Sequence, residues 1–432
     1  SQDYTAASYN GSLIEIAGED ASMTMESGNI SAVRETPDSN GQYGVGVTDG
    51  GDFTMTGGKI EAGWFAVAGN GNYKTQNSII NITDGELIST ADYAVYLPQS
   101  GTTTISGGKV YGAAGGVCIQ RGTLNVEGTA LITSKGTGST GNWGDGTGGL
   151  DCAAINVSGA YGIATVNIKG GTLIAEAKSL ITEGTTYTPV INVTGGTFSD
   201  PSVLKYMATN ATVDIKLLSN INIAKTELAT GYILNAANAT ANLNLNGHDI
   251  INSSETADAT PFTQIFTVQN GTLNISGNGN VKCDASATAK DDGYRMVIEA
   301  RGYGTVNIHG GSYYNTQKLN TQIDLIYARE NGKINIYGGT FESGKYGTPN
   351  NDTDGRYWVL NLKNTDKNTA SIQVSGGTFI NFNPANPNMD DNESYLVTGY
   401  EVTRDGSVYT AAHKVGDGRK EYIVGQTSQE NR

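Results

Sequence analysis

Asn350, Asp352 and Asp354, followed by Gly355, have the residue types and spacing to bind a calcium ion. Oxygen ligands at positions 1, 3 and 5 of a loop, with glycine at position 6 for the turn, form the first half of a Ca²⁺-binding loop. The twelfth position, which in such a loop supplies a bidentate glutamate, is Asn361. The pattern predicts a partial Ca²⁺ site or, alternatively, a solvated polar loop, and no other cofactor is expected.

Aromatic residues in variable loops are the candidates for ligand contact. The chain has 23 tyrosines against 8 phenylalanines, which indicates that many rings reach water. Tyr314, Tyr346 and Tyr357 lie between candidate strands, where exposed rings beside polar residues can stack on sugars or contact protein. Trp143, in the glycine-rich insertion 136–149, is a further recognition candidate, and a disordered excursion is the alternative there.

The histidines and cysteines do not indicate a metal site. Zinc needs three or four converging ligands, and the three histidines are far apart in the sequence. Cys118, Cys152 and Cys283 are an odd number without a disulfide pattern, so we expect small buried apolar residues.

Composition narrows the classes of partner. With 27 basic and 42 acidic residues the formal charge is −15, which argues against nucleic acid and anionic membrane. Glycans, proteins and Ca²⁺ remain open. There is no run of 18 apolar residues, so no membrane span is predicted. The chain opens at Ser1 without a basic and apolar leader, so we expect any secretion signal to have been removed or to lie outside this sequence.

An eight-residue pattern, INIYGGTF at 334–341, recurs along the chain. Further copies are VNIHGGSY at 306–313, VNIKGGTL at 166–173, INVTGGTF at 191–198 and IQVSGGTF at 372–379. Recurrence every 20 to 40 residues or so indicates a solenoid, and apolar residues that alternate have the period of a strand. Each copy therefore predicts a strand, a glycine corner and a second strand, with a third strand before the next copy.

The repeat also predicts which side chains face the core. At one corner Gly247-His248 replaces the glycine pair, and His248 is expected to take the positive φ. A column of apolar residues two positions past each corner should be buried when coils stack. Its members are Ile30, Ile60, Leu87, Val110, Leu131, Leu173, Phe198, Ile250, Tyr313, Phe341 and Phe379.

These residues carry a resemblance. The x-I-N-I-x-G-G-T-F pattern, with ANLNLNGHDI at 241–250 and NGTLNISGNG at 270–279, is similar to the right-handed β-helix repeat proteins of gut bacterial surfaces and phage tail fibres. The expected fold is all-β: a right-handed, single-stranded parallel β-helix of three sheets, like that of pectin lyases. This fold hosts lyases, hydrolases, adhesins and inert stalks, so it leaves the function open.

The long gap between the copies at 191–198 and 241–250 predicts two β-helix modules, 1–207 and 208–412, before a polar tail, 413–432. Asp200 as N-cap and Pro201 at the first helical position predict a short helix at the boundary.

The segment 395–411 predicts a hairpin that turns at Asp405-Gly406 and caps the last coil.

The resemblance gives little support for catalysis. The related hydrolases carry Asn-Thr-Asp, Asp-Asp and Gly-His-Gly in that order, whereas here Asn-Thr-Asp at 364–366 follows an Asp-Asp pair and Gly-His-Gly does not occur. We expect 364–366 to be a turn. Arg301 and Arg329, near Glu299 and Glu330, could serve a lyase, but an exposed charged ladder is the alternative.

The favoured hypothesis is a non-catalytic, extracellular or cell-surface adhesin that binds glycan, or a host or cell-surface protein, through loops on one side of the solenoid. The alternatives are a polysaccharide lyase or glycoside hydrolase of the same fold, and a structural stalk or phage fibre segment. The chain is expected to be a monomer or a self-associating fibre.

Overall fold

A computed structural model describes residues 11–33, 42–70, 76–140, 147–183, 186–223, 231–252, 262–283, 294–315, 323–343, 357–387 and 393–414. Within these ranges the protein is nearly all β, with two short 3₁₀ helices, Pro201–Tyr206 and Asn364–Asp366. The strands form three sheets, which we call sheets 1, 2 and 3.

The strand bounds follow the predicted repeat. Sheet 1 contains Ser12–Ala17, Tyr43–Thr48, Val67–Ala68, Tyr93–Leu97, Gly115–Ile119, Ala153–Val157 and Lys178–Thr182. Sheet 2 contains, from the first half of the chain, Ser22–Met25, Asn29–Ala32, Asp52–Ala62, Ser78–Ser89, Gly101–Ile105, Lys109–Gly112, Gly122–Val126, Leu131–Ser134, Ala164–Ile168, Thr172–Ala175, Val190–Val193, Thr197–Phe198 and Thr212–Lys216. Its strands from the second half are Tyr232–Asn244, Phe262–Ser276, Tyr294–Ile308, Ile323–Ala328, Lys333–Ile336, Tyr357–Leu362 and Ser371–Val374. Sheet 3 contains Ile221–Asn222, Ile250–Asn252, Asn280–Cys283, Ser312–Asn315, Thr340–Ser343, Gly377–Ile380, Tyr400–Asp405 and Val408–His413.

Within each half of the chain, copies of the repeat pair in parallel with the next copy, in register. Ile308 is opposite Ile336, which is opposite Val374, and all three are buried. In the second column Tyr313, Phe341 and Phe379 stack, with centroid separations of 5.1 Å and 5.1 Å. Because equivalent side chains of successive copies meet face to face, each copy buries its apolar residues against its neighbours.

The corner glycines have the backbone conformation that the repeat predicts. Gly339 has φ of 106°, and a Cβ there would lie 3.0 Å from the carbonyl oxygen of Gly311, so the corner needs glycine. The prediction for His248 is wrong: the positive φ angles fall on Asn246 and Gly247, because an Asn-Gly turn precedes it. Asparagine tolerates this conformation better than most residues.

One core position is also corrected. Leu131 is only half-buried, whereas Ile132 is fully buried and lies opposite Val110 and Leu173. The corner that contains Gly128 is longer than a Gly-Gly corner, and a slip of one residue moves a side chain to the other face of a strand.

The predicted helix lies at the boundary and closes the edge of sheet 1. Asp200 caps it by accepting a hydrogen bond from the Ser202 N–H at 2.9 Å, and its other oxygen accepts from the Ser179 N–H. The Ser202 hydroxyl donates to the Leu180 carbonyl at 3.1 Å. Side chains of the helix thus satisfy backbone groups of the strand Lys178–Thr182, which has no further strand beside it among the described residues.

Sheet 2 continues through the predicted module boundary. Thr197–Phe198 pairs with Thr212–Lys216, which pairs in turn with residues 240–244. In the first half this ladder contains strands that follow a glycine corner, such as Thr197–Phe198. In the second half it contains strands that precede a corner, such as residues 240–244. The division into modules at 207/208 stays a prediction, and the backbone pairing of sheet 2 continues from one side of it to the other.

The C-terminal hairpin is confirmed. Tyr400–Asp405 and Val408–His413 pair antiparallel around Gly406, and the second of these strands pairs antiparallel with Gly377–Ile380. The hairpin therefore covers the last parallel strand of sheet 3. Residues 415–432 lie outside the described residues.

Candidate functional site

The structure describes only part of the site that the sequence predicts. Tyr314 is half-buried in the strand Ser312–Asn315, where its ring centroid lies 5.8 Å from the Lys282 ammonium nitrogen. Tyr357 begins a strand of sheet 2, so these two tyrosines belong to different sheets. The other predicted site residues lie outside the described residues: Trp143, Tyr346, Asn350, Asp352 and Asp354. Within the described ranges, no group of three or more His, Cys, Asp or Glu residues could hold a metal ion.

The most regular polar feature is a ladder of asparagines on the outer side of sheet 2. The side-chain amide of Asn335 donates to the Oδ1 of Asn307 at 2.8 Å, and Asn307 donates to Asn274 at 2.8 Å. Asn274 donates to Asn242 at 2.8 Å, and Asn242 donates to the Asp214 carboxylate at 2.9 Å. The five side chains form one continuous hydrogen-bonded column across five strands.

A column of hydroxyl groups lies beside the asparagines. Thr240, Thr272 and Thr305 are opposite one another in successive strands, two residues before the corresponding asparagines. Thr212 precedes them and Lys333 follows them in register. Because alternate residues of a strand share a face, the hydroxyl and amide columns present a single polar surface.

On the other side of the ladder, two aromatic rings form an exposed pair. His309 and Tyr337 stack with centroids 4.7 Å apart and ring planes 7° from parallel. Both residues are exposed, and 50% of the Tyr337 surface is accessible to solvent. They lie two residues past Asn307 and Asn335, so the ring pair borders the asparagine column. We call the ladder, the threonine column and this pair the amide face.

The first half of the chain contains a shorter ladder with different neighbours. Asn192 donates to Asn167 at 3.0 Å, and Asn167 donates to Asn125 at 3.0 Å. In place of the ring pair, this ladder has Glu127 and Lys169, whose charged atoms are 3.8 Å apart. An exposed aromatic pair beside an amide column is therefore a feature of the second half.

The charged residues considered for a lyase are paired with one another. The Glu299 side chain is only 3% exposed, and its Oε1 accepts from Arg329 Nε at 2.6 Å. Arg329 also binds Glu330, and Arg301 Nε lies 3.9 Å from Glu299 Oε2. Burial alone would lower the pKa of Arg329, but the hydrogen bond and charge of Glu299 raise it overall. The Arg329 guanidinium is thus paired with two carboxylates of the protein, as in a structural network.

The Asn-Thr-Asp segment at 364–366 is a turn, as predicted, and forms a single turn of 3₁₀ helix. Asp366 accepts from the Glu330 N–H at 2.7 Å and from the Thr365 hydroxyl at 2.8 Å. The Glu330 N–H is the larger cause of a lowered Asp366 pKa. This carboxylate therefore serves to join two neighbouring turns.

A cleft of about 790 Å³ lies at the predicted module boundary. Two carboxylates in its wall accept hydrogen bonds from backbone N–H groups. Asp200 caps the helix, and Glu183 accepts from the Asp151 N–H at 2.8 Å. Other polar groups of its wall include Glu176, Lys178, Lys205, Asn220, Asn222 and Tyr232. Because its lining has both charge signs and the carboxylates of Asp200 and Glu183 hold the protein's own groups, the cleft is less distinctive chemically than the amide face.

The three cysteines are buried, as predicted. No helix of the described chain has the length and apolar composition to cross a membrane. Comparisons with family models, with curated proteins and with solved structures found no match.

Sequence reasoning missed the amide face as a site. The pattern x-I-N-I-x-G-G-T-F contains Asn335, but only as part of the repeat. His309 and Tyr337 are 28 residues apart, and their contact depends on the register that places Ile308 opposite Ile336. The available signal was the residue before each glycine corner, which is an aromatic ring in two consecutive copies.

Proposed function

We propose that the chain is a right-handed parallel β-helix of three sheets that acts outside the cell or on its surface. Three observations support this fold: the parallel in-register pairing of successive copies, the buried apolar columns, and the hairpin that covers the last strand. The modules 1–207 and 208–412 are part of the same proposal. The ladder that passes through Thr212–Lys216 supports one continuous stack.

The proposed activity is non-catalytic binding of carbohydrate at the amide face. The observation that carries it is the exposed His309–Tyr337 pair beside a continuous column of neutral amides. Sugars present apolar C–H surfaces together with hydroxyl groups, so they fit a surface that offers a ring face and hydrogen-bonding groups side by side. A rigid sheet holds these groups in place before the ligand arrives, which lowers the entropic cost of binding.

Binding to a panel of soluble and insoluble polysaccharides tests this proposal. Tyr337→Ala should weaken binding about tenfold, since loss of one stacking contact of about 1.4 kcal/mol corresponds to that factor. Tyr187→Ala is the matched control, because Tyr187 is 46% exposed and lies in the first half of the chain. Binding that is absent across the panel, or equal for the two variants, would contradict the proposal.

The same panel distinguishes the other hypotheses. Release of unsaturated products or new reducing ends would identify a lyase or hydrolase. If Tyr314→Ala or Trp143→Ala abolishes binding while Tyr337→Ala does not, the ligand lies at the residues that the sequence predicted, and not at the amide face. A protein that neither binds nor cleaves any polymer would favour the structural stalk.

A further inference from the structure

The hydrogen bonds of the asparagine ladder all have the same direction. Asn307 donates one N–H to Asn274, and its Oδ1 accepts one N–H from Asn335. A side-chain amide has two N–H donors and two acceptor lone pairs. Each interior asparagine of the ladder therefore keeps one donor and one acceptor for a ligand.

This pattern favours a ligand that both donates and accepts. A hydroxyl group does both, so it can pair with either free group at every step of the column. A carboxylate or sulfate only accepts and would leave the free amide oxygens unmatched. The chain carries a net charge of −15, which disfavours polyanions, while the amide face itself has a carboxylate, Asp214, at one end and an ammonium group, Lys333, at the other.

The column also sets the direction of an extended ligand. Neighbouring strands of a sheet are about 4.8 Å apart, so the column from Asp214 to Asn335 is about 19 Å long. His309 and Tyr337 directly follow the two adjacent strands that contain Asn307 and Asn335, so their stacked rings lie at that end of the column. Polar groups repeated along this line can contact several sugar units of one chain.

Resting on the carbohydrate-binding function proposed above, we propose that the amide face takes a neutral, extended polysaccharide. The polymer lies across the strands, along the asparagine column, with one sugar unit stacked at Tyr337. The shorter ladder of the first half, which has the Glu127–Lys169 ion pair in place of the rings, does not bind it.

Titration calorimetry with two oligosaccharide series tests the ligand class. The probes are neutral β-linked gluco-, manno- and xylo-oligosaccharides of two to six units, and oligogalacturonates of the same lengths. For at least one neutral series, affinity should rise about tenfold or more from the disaccharide to the hexasaccharide, because further units reach further amides. The galacturonate hexamer should bind at least about tenfold more weakly than that neutral hexamer. Affinity that stops rising at the disaccharide, or equal affinity for the galacturonate, would overturn the inference.

Variants at the first and last asparagines of the ladder test the direction. Asn242→Ala and Asn335→Ala should each lower the affinity for the hexasaccharide about threefold to tenfold. Asn192→Ala is the matched control, since it removes the same kind of amide hydrogen bond from the first-half ladder. Thermal unfolding of each variant checks that the fold is kept.

The outcomes separate the two proposals. If no glycan binds, the proposed function itself fails. If glycans bind but Asn242→Ala behaves like Asn192→Ala, binding stands and the extended orientation is wrong.

Discussion

Replacing Phe341 tests whether the stacked column of rings holds the second half together. Phe341 is fully buried between Tyr313 and Phe379, with its ring planes 8° and 14° from those of its neighbours. Its strand Thr340–Ser343 pairs in parallel on both sides, so the backbone cannot close around a missing side chain. Phe341→Ala should therefore cost about 4–5 kcal/mol of unfolding free energy, at the upper end of the range for buried phenylalanine.

Phe341→Leu is the matched control, since it keeps most of the volume and loses the ring contacts. It should cost about 1.5–2.5 kcal/mol, a small packing change plus part of two aromatic pairs. Urea denaturation followed by circular dichroism measures both values, with the slope of each transition checked because stacked repeats can unfold in parts. A loss below about 1 kcal/mol for Phe341→Ala, or equal losses for both variants, would refute the stacked column as a source of stability.

Three further predictions concern the charged network, alkaline pH and a corner. Arg329→Gln leaves the buried Glu299 carboxylate without its hydrogen-bonded partner and should cost about 2 kcal/mol, whereas adding Glu299→Gln should recover most of it in a double-mutant cycle. Burial, followed by the charge of Asp324, raises the pKa of Tyr327 to about 12, so the unfolded phenol ionises from about pH 10 while the folded one stays protonated. Stability should then be complete below about pH 10 and fall between about pH 10 and 12, and Tyr327→Phe should reduce this slope in denaturation curves; an unchanged slope contradicts the assignment. Gly339→Ala forces a Cβ into a positive-φ corner and should cost about 1–3 kcal/mol, measured by the same denaturation.

The strands, the corners and most of the buried column could be predicted from the sequence, because one eight-residue pattern recurs with its alternation intact. Phe341 and Phe379 are buried as the pattern requires. Leu131 and His248 were assigned wrongly because their corners differ in length or turn type from Gly-Gly. A repeat pattern with fixed spacing cannot show such a one-residue shift, since the extra residue is accommodated within the corner itself.

The candidate site was harder to predict because it depends on contacts between copies. A single copy shows that Asn307 points outward, but not that it is hydrogen-bonded to Asn274 and Asn335. The continuation of sheet 2 through Thr212–Lys216 also could not be predicted, because the longer gap at the boundary fits two modules in one stack as well as two modules at an angle. Register between distant copies is a property of the assembled stack.

Hydroxyl-radical footprinting of the protein with and without a bound neutral hexasaccharide tests the central claim most directly. Oxidation of Tyr337 and His309, which are exposed in the free protein, should fall strongly when the ligand is present. Oxidation of Tyr161 and Tyr187, exposed in the first half, should stay unchanged. Unchanged oxidation of Tyr337 under saturating ligand, with protection elsewhere, would contradict binding at the amide face.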